Sequence, residues 1–325
     1  MHIETLFRAL ADPTRLRILR LLGSMELAVG EVAQVLGQSQ PRVSRHIGIL
    51  CDAGLAERRR EGSWTFVRAG SGSTPGGEPS LVPHALRLLE EAESADREFA
   101  ELRQDDRRKL AEILEARESE AQAYFSRHAH EWDELRRLHS SDEAIESALA
   151  EALGEASLGR LLDIGTGTGR MAELFARRAD HVVALDKSFA MLRVARAKLQ
   201  TLPAEQVELV QGDFASLPLP PQSFDTVLFH QVLHFAQVPR AALDEAARVT
   251  RPGGRIAIVD FAAHQHEELR ERHAHAWLGF SDAKMHQLLL EAGFSPCETR
   301  ALEDGELVVK IWIAERDIEA RKAVS

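Results

Sequence analysis

Five short apolar runs constrain this chain more than anything else in it. They read GRLLDIG (159–165), HVVALD (181–186), VELVQGD (207–213), FDTVLF (224–229) and GRIAIVD (254–260). Each has the length of a strand, and each is separated from the next by a stretch of helical periodicity. Strands alternating with helices specify βαβ units around a parallel sheet that is buried on both faces. Residues 1–68 follow a different pattern, in which helices lead into a hairpin-like end.

A chain of 325 residues is long for one compact domain, so at least two are expected. Residues 1–80 form the first and end in the Gly-, Ser- and Pro-rich stretch AGSGSTPGGEPS (Ala69–Ser80), which reads as a linker or loop. Residues 81–119 read as a charged helical connector, with Leu86, Leu89, Leu102, Leu110 and Leu114 as its apolar residues. Residues 120–325 hold the alternating part.

The two cysteines, Cys51 and Cys297, lie far apart and show no metal-ligand spacing. That suits a reducing compartment and offers no disulfide framework. The chain starts with charged residues rather than a leader-like apolar run, and it has no run of eighteen apolar residues. A cytoplasmic location with no membrane partner is therefore expected. Net charge is −11, unevenly spread: residues 1–70 carry ten Arg against seven Asp or Glu, which leaves −14 for the rest. A mildly basic head on an acidic body permits nucleic-acid binding by the head alone.

Within the head, Asp12-Pro13 reads as a helix start, because the carboxylate can cap free amides and Pro at the first position sacrifices no hydrogen bond. A short helix EVAQVL (Glu31–Leu36) and a turn at Gly37-Gln38 follow, and then Ser39 caps the helix of SQPRVSRHIGILCDAG. Val43, Ile47 and Leu50 share one face of that helix. Gln40, Arg42, Ser44, Arg45 and His46 project from the other faces near its N-terminal end. A recognition helix places this end in the major groove, where Gln and Arg read base edges. LAERRR and WTFVRA read as two strands about a turn, and Arg58, Arg59 and Arg60 suit a wing that touches phosphates.

Together, LFRALADPTRLRILRLL and the segment from ELAVGEVAQVLGQSQPRVSRHIGIL to WTFVRA resemble the ArsR/SmtB family of dimeric winged-helix regulators over roughly residues 1–90. The resemblance implies a homodimer on a palindromic double-stranded operator. The family's arsenic and cadmium sensors carry Cys-x-Cys where this chain has Ala28 and Gly30. Neither residue supplies the thiolate that a soft metal needs. The candidate dimerisation helix starting near Leu81 offers only His84 for the family's other metal site. No metal is expected, and any signal has to come from elsewhere.

The alternating part supplies a candidate. In LLDIGTGTGR, Asp163 sits at the carboxyl end of a strand, and Gly165, Gly167 and Gly169 allow a tight turn that approaches a ligand. Open α/β sheets bind ligands in that crevice. The spacing is G-x-G-x-G rather than the dinucleotide G-x-G-x-x-G. Asp186 ends the next strand, where a carboxylate accepts from ribose hydroxyls, and Met191 follows where it can pack on an adenosine. Asp213 and Phe214 end a third strand, suited to an adenine amine and its ring. His230 ends the fourth strand at the pocket.

This ordered set resembles class I S-adenosylmethionine-dependent methyltransferases, close to the ubiquinone- and menaquinone-methylating type, over about residues 120–315. The resemblance implies S-adenosylmethionine or S-adenosylhomocysteine as ligand. It also implies two final antiparallel strands, which FSPCETRAL and LVVKIWIA fit, and a helical lid at YFSRHAHEWDEL (Tyr124–Leu135). Tyr124 is then a contact for the ligand's amino-acid end or a packed aromatic. The expected fold is α + α/β: an N-terminal winged helix-turn-helix, a helical connector, and a C-terminal doubly wound Rossmann-like methyltransferase sheet with a final antiparallel strand pair.

Two functions of different classes fit. One is a transcription regulator, a repressor, that reads an S-adenosyl ligand as effector. The fusion resembles S-adenosylhomocysteine-responsive ArsR-type repressors of methionine-cycle genes. The other is an active methyltransferase of a small molecule with a regulatory head, in which His230 or His234 could serve as a base or simply line the pocket. His264, His266, His273 and His275 tempt as a metal cluster, but i,i+2 pairs diverge on a helix and no cysteine joins them. They read as solvated or substrate-side histidines.

Overall fold

The computed structural model describes residues 3–61, 64–70, 81–132, 142–203, 205–303 and 305–317. The expected linker over 71–80, the hairpin tip at 62–63 and the end of the expected lid at 133–135 lie outside the described residues. The chain divides into two compact units, Met1–Glu118 and Ser119–Ser325.

In the first unit, α1 (Ile3–Leu10), α2 (Pro13–Leu22), α3 (Val29–Leu36) and α4 (Gln40–Asp52) precede the hairpin of β2 (Ala56–Glu61) and β3 (Trp64–Ala69). Asp12 caps α2 as its place before Pro13 predicts: its carboxylate accepts from the Arg15 amide at 3.0 Å. Ser39 stands at the start of α4 in extended backbone, but its side chain makes no capping bond. The cause is local. Pro41 has no amide to offer, and the amides of Arg42 and Val43 already bond to the Ser39 carbonyl at 3.0 and 3.1 Å.

A two-residue strand β1 (Leu27–Ala28) pairs with β3, which gives the sheet order β1-β3-β2. Two residues are too few to show an alternating pattern, so this strand was not legible in advance. Ile18, Leu19, Leu21, Val32, Val35, Val43, Ile47, Leu50 and Val67 form the buried centre of the unit.

The single connector helix expected from residue 81 is instead two helices, α5 (Val82–Ala95) and α6 (Arg97–His128). Asp96 leaves helical geometry (φ −118°, ψ 103°), and its carboxylate accepts from the Phe99 amide at 3.1 Å, capping α6. An Asp in mid-helix competes for local amides in this way. The Asp106 carboxylate on α6 is fully buried and receives Arg17 Nε at 2.8 Å. The division between the units falls within α6.

The second unit is a seven-stranded sheet of order β6-β5-β4-β7-β8-β10-β9. Its strands are β4 (Arg160–Ile164), β5 (His181–Asp186), β6 (Val207–Gln211), β7 (Phe224–His230), β8 (Thr250–Phe261), β9 (Phe294–Leu302) and β10 (Val309–Arg316). The first five run parallel, and β10 is antiparallel to both β8 and β9. Successive residues point to opposite faces. Leu162, Val183, Leu185, Val227, Phe229, Ile256 and Ile258 therefore pack on one side with α10 (Pro239–Val249) and α12 (Asp282–Ala292). Leu161, Val182, Ala184, Leu228, Ala257 and Val259 pack on the other with α7 (Asp142–Ala152), α8 (Arg170–Phe175) and α9 (Phe189–Leu199). Burial on both faces is why these strands read as continuous apolar runs. The strand order reverses at β4, between β5 and β7, and opens a crevice at their carboxyl ends.

Replacing Asp12 with Ala should cost about 1 kcal/mol of stability in the first unit through loss of the cap. A lowered urea midpoint with an unchanged slope is the expected outcome.

Candidate functional sites

The glycine loop follows β4 into the crevice. The Gly165 and Thr166 amides both donate to the Leu185 carbonyl, at 2.8 and 2.9 Å, which ties the loop to β5. Gly165 has φ +70°, and a Cβ built there would lie 2.3 Å from Val232 Cγ2. No other residue fits that turn without displacing the chain. Gly167 and Gly169 also have positive φ. The buried Asp163 accepts from Thr166 Oγ1 at 2.6 Å and so braces the loop.

Asp186, at the end of β5, accepts from the Gly167 amide at 2.9 Å through Oδ2 and from the Ser188 amide at 2.7 Å through Oδ1. A carboxylate has about four acceptor positions, so at least one is left for a ligand hydroxyl. Burial pushes this carboxyl up to about 6, against the pull of the Ser188, Gly167 and Lys187 amides. The glycine loop and the Asp186 carboxylate are thus brought together by two strands and one loop.

The other expected contacts are placed as follows. β6 ends at Gln211, two residues before Asp213, which accepts from Lys187 Nζ and from the Ala215 amide, both at 2.8 Å. Phe214 is half-buried against the core. Met191 on α9 is 2% exposed and belongs to the packing, whereas Phe189 at the start of α9 is 62% exposed. The Tyr124 hydroxyl is 2.7 Å from His273 Nδ1. That makes it a clasp between α6 and α11 (Glu267–His273). His230, the last residue of β7, is buried.

Sequence reading overlooked several residues. Trp132 covers the glycine loop, since a Cβ on Gly167 would lie 3.6 Å from its Nε1. Phe125 and Phe235 pack against Trp132 with ring centroids at 5.3 and 6.1 Å. Asp260 holds His234, with Oδ1 2.7 Å from Nδ1. An acid at the carboxyl end of GRIAIVD, matching those that end the first two strands, was the available signal. The four tempting histidines do not converge on one point: His266 lies beside Glu268 and His264, His273 beside Tyr124, and His275 against His234. His264 packs by Phe261.

On α4, Gln40, Arg42 and Arg45 are exposed, while Val43, Ile47 and Leu50 are buried. His46 is turned inward, with Nδ1 3.7 Å from Asp12 Oδ1. Arg58, expected at phosphates, donates to the Ser44 carbonyl at 2.6 Å and so ties β2 to α4. Arg59 pairs with Glu26 at 3.1 Å and lies over the Phe66 ring. Arg60 is exposed.

Comparison with known proteins agrees with this layout. A helix-turn-helix domain model matches residues 10–59, and a methyltransferase domain model matches residues 162–258. A demethylmenaquinone methyltransferase of Clavibacter sepedonicus is 40% identical over 119 residues, 37% of this chain and 46% of that protein. A ubiquinone/menaquinone biosynthesis C-methyltransferase of Syntrophotalea carbinolica is 38% identical over 144 residues, 42% of this chain and 60% of that protein. The chain spans about half the length of the curated relatives it matches. A solved S-adenosylmethionine-dependent methyltransferase of Aquifex aeolicus is 21% identical with a TM-score of 0.45, covering 56% of this chain and 97% of that one. The chain joins a helix-turn-helix domain to a Rossmann-like methyltransferase domain.

If Asp186 is the carboxylate that takes ligand hydroxyls, its ionised form is the one that binds, because a protonated carboxyl gives up acceptor capacity. Affinity for S-adenosylhomocysteine should be full above about pH 7 and fall about tenfold per unit as pH drops through 6. Stability without ligand responds with the opposite sign. The folded state binds this proton more tightly than the unfolded one, so the group's contribution is lost as pH rises from about 4 to 6. Calorimetry between pH 5 and 8 and thermal melts between pH 4 and 7 check the two slopes.

Proposed function

We propose that this protein is a DNA-binding transcription regulator whose methyltransferase-like unit takes S-adenosylhomocysteine or S-adenosylmethionine as effector. The observation that carries the reading is the presence in one chain of two separate sites. One is the exposed Gln40, Arg42 and Arg45 at the start of α4, and the other is the carboxylate-and-glycine cradle at Asp186. Arg45 and Gln40 read base edges, with Arg42 and Arg60 at the backbone. Arg58 and Arg59 shape the wing through their bonds to Ser44 and Glu26.

The operator is a palindrome bound by a homodimer. Exposed apolar side chains support this: Phe7 on α1, Leu81 and Leu88 at α5 and Leu102 on α6 all stand open in the first unit. Single exposed apolar residues are ordinary, but a set of them on three helices of one small unit suits a subunit contact. Control of methionine-cycle genes, in a cytoplasmic setting, follows from the fusion's resemblance to S-adenosylhomocysteine-responsive repressors. We assign the coupling to α6, which contributes Asp106 to one unit and Tyr124 to the other. A ligand shifts such a regulator only through its differential affinity for two states.

A second reading is favoured by two observations. The His234–Asp260 pair and the menaquinone methyltransferases among the relatives suit an active methyltransferase with a regulatory head.

Gel-shift titrations of the operator at fixed salt, with each S-adenosyl compound in turn, test the first reading. At least one compound should move operator affinity about 5–150-fold. Asp186→Ala should bind operator as the parent does and show no ligand response; a retained response overturns the ribose assignment. Arg45→Ala should cost about 1–3 kcal/mol and relax base preference at one operator position. A loss that is uniform across sequences would make Arg45 a phosphate contact.

A further inference from the structure

The first unit buries an arginine whose donors are not used. Arg103 lies on α6 and is 7% exposed. Its Nε and Nη1 are buried and make no hydrogen bond among the described residues. Two more arginines, Arg20 on α2 and Arg107 on α6, stand with it around one acid, Glu93 on α5. Arg20 holds that carboxylate side-on: Nε reaches Oε1 at 2.8 Å and Nη2 reaches Oε2 at 2.9 Å. Arg103 Nε is 3.4 Å from the same Oε1, and Arg107 Nη2 is 3.8 Å from Oε2. Burial pushes Glu93 up, but Arg20, Arg103 and Arg107 together hold it below the usual carboxylate range. Burial, and then the Arg107 and Arg20 charges, push Arg103 below its ordinary value.

A buried guanidinium with idle donors is costly, because those donors have left water without finding an acceptor. A second arrangement removes that cost. A side-on fork occupies both oxygens of a carboxylate. Arg103 therefore closes its own fork only if Glu93 turns out of the Arg20 fork. Arg20 is not stranded by that turn. Its Nη1 already reaches Glu90 Oε1 at 3.1 Å, and Glu90 lies one helical turn before Glu93 on α5, exposed enough to follow. The acid thus has two arginines within reach, and Arg20 has two acids. Coupling between distant sites is carried by elements with two discrete arrangements of this kind.

The two arginines stand on helices suited to relay a change. α6 runs from the first unit into the second. Asp106, one turn beyond Arg103, is the point at which Arg17 ties α6 to α2. α2 in turn supports the DNA-reading helix: its Ile18, Leu19 and Leu21 share a core with Val43, Ile47 and Leu50 of α4, and Asp12 at its start faces His46. We propose that Glu93 passes from Arg20 to Arg103 when the S-adenosyl ligand binds, and that this exchange resets α4 against DNA. A small rotation of α6 about the Asp106 tie closes the 3.4 Å gap, and α2 loses its fork to α5. The inference rests on the effector reading and deepens it by naming the residues that regulate. Arg103 is a positioning residue, which acts through Glu93, Arg20 and α2 and touches neither ligand nor DNA.

The test uses the full chain and an operator duplex selected on it from random-sequence DNA. S-adenosylhomocysteine and S-adenosylmethionine are each titrated calorimetrically with and without that duplex. In the parent the two constants should differ about 5–150-fold for at least one compound. Arg103→Met should bind the duplex, and each compound in the free chain, within about twofold of the parent, yet bring the two constants within about twofold of each other. A merely structural role would shift the affinities and leave their ratio. Glu90→Gln, at the surface, removes the second acid of Arg20; it should lower the ratio too, and it decides the matter if Arg103→Met does not fold. A second arm needs no ligand. If Arg103 can take Glu93, the loss of Arg20 matters far more once Arg103 is gone. Arg20→Met and Arg103→Met together should then raise the first unit's urea unfolding constant at least about tenfold beyond the product of their single effects. A product that holds within about twofold overturns the exchange, as does a full ratio in Arg103→Met. Equal constants or no heat in the parent sink the effector reading, and with it the regulatory role of the exchange, and the ligand-free arm separates the two failures.

Discussion

The carboxylate of Asp186 fixes the geometry of the whole candidate ligand site. Through the Gly167 and Ser188 amides it pins the glycine loop and the start of α9 to the end of β5. The loop can lie so close only because Gly165 lets Val232 approach from the β7 side. The sheet reverses its order there, so strand topology and loop chemistry meet at one crevice. Burial raises this carboxyl to about 6 against the pull of the amides that hold it.

Much of this was legible in the amino-acid order. The apolar runs announced five parallel strands because burial on both faces leaves no polar alternation. Asp12 before Pro13 announced a capped helix, and Val43, Ile47 and Leu50 announced the buried face of α4. What escaped had physical reasons. β1 is too short to show a period, and the split between α5 and α6 depends on which amide Asp96 captures. Arg58 and Arg59 carry charges that composition assigns to DNA, yet both have partners in the folded chain that no local pattern shows. His234 could be named as a candidate, but its carboxylate partner lies 26 residues on, in β8.

Sensing and transfer would ask different things of the same cradle. Sensing requires that the chain hold a nucleoside thioether more tightly in one DNA-binding state than in another. Transfer requires in addition a base and a place for an acceptor beside the methyl group. The rings from Trp132 through Phe235 to His275, with Asp260 behind His234, make the second use compatible with the first. A regulator that also spends S-adenosylmethionine would generate its own effector at the site that reads it.

Linkage makes the central claim measurable without knowing the sign of the response. If S-adenosylhomocysteine alters affinity for the operator, the operator must alter affinity for S-adenosylhomocysteine by the same factor. Calorimetric titration of S-adenosylhomocysteine into the free chain and into the chain saturated with operator should give two dissociation constants about 5–150-fold apart. Equal constants, or no heat in either titration, would contradict the account.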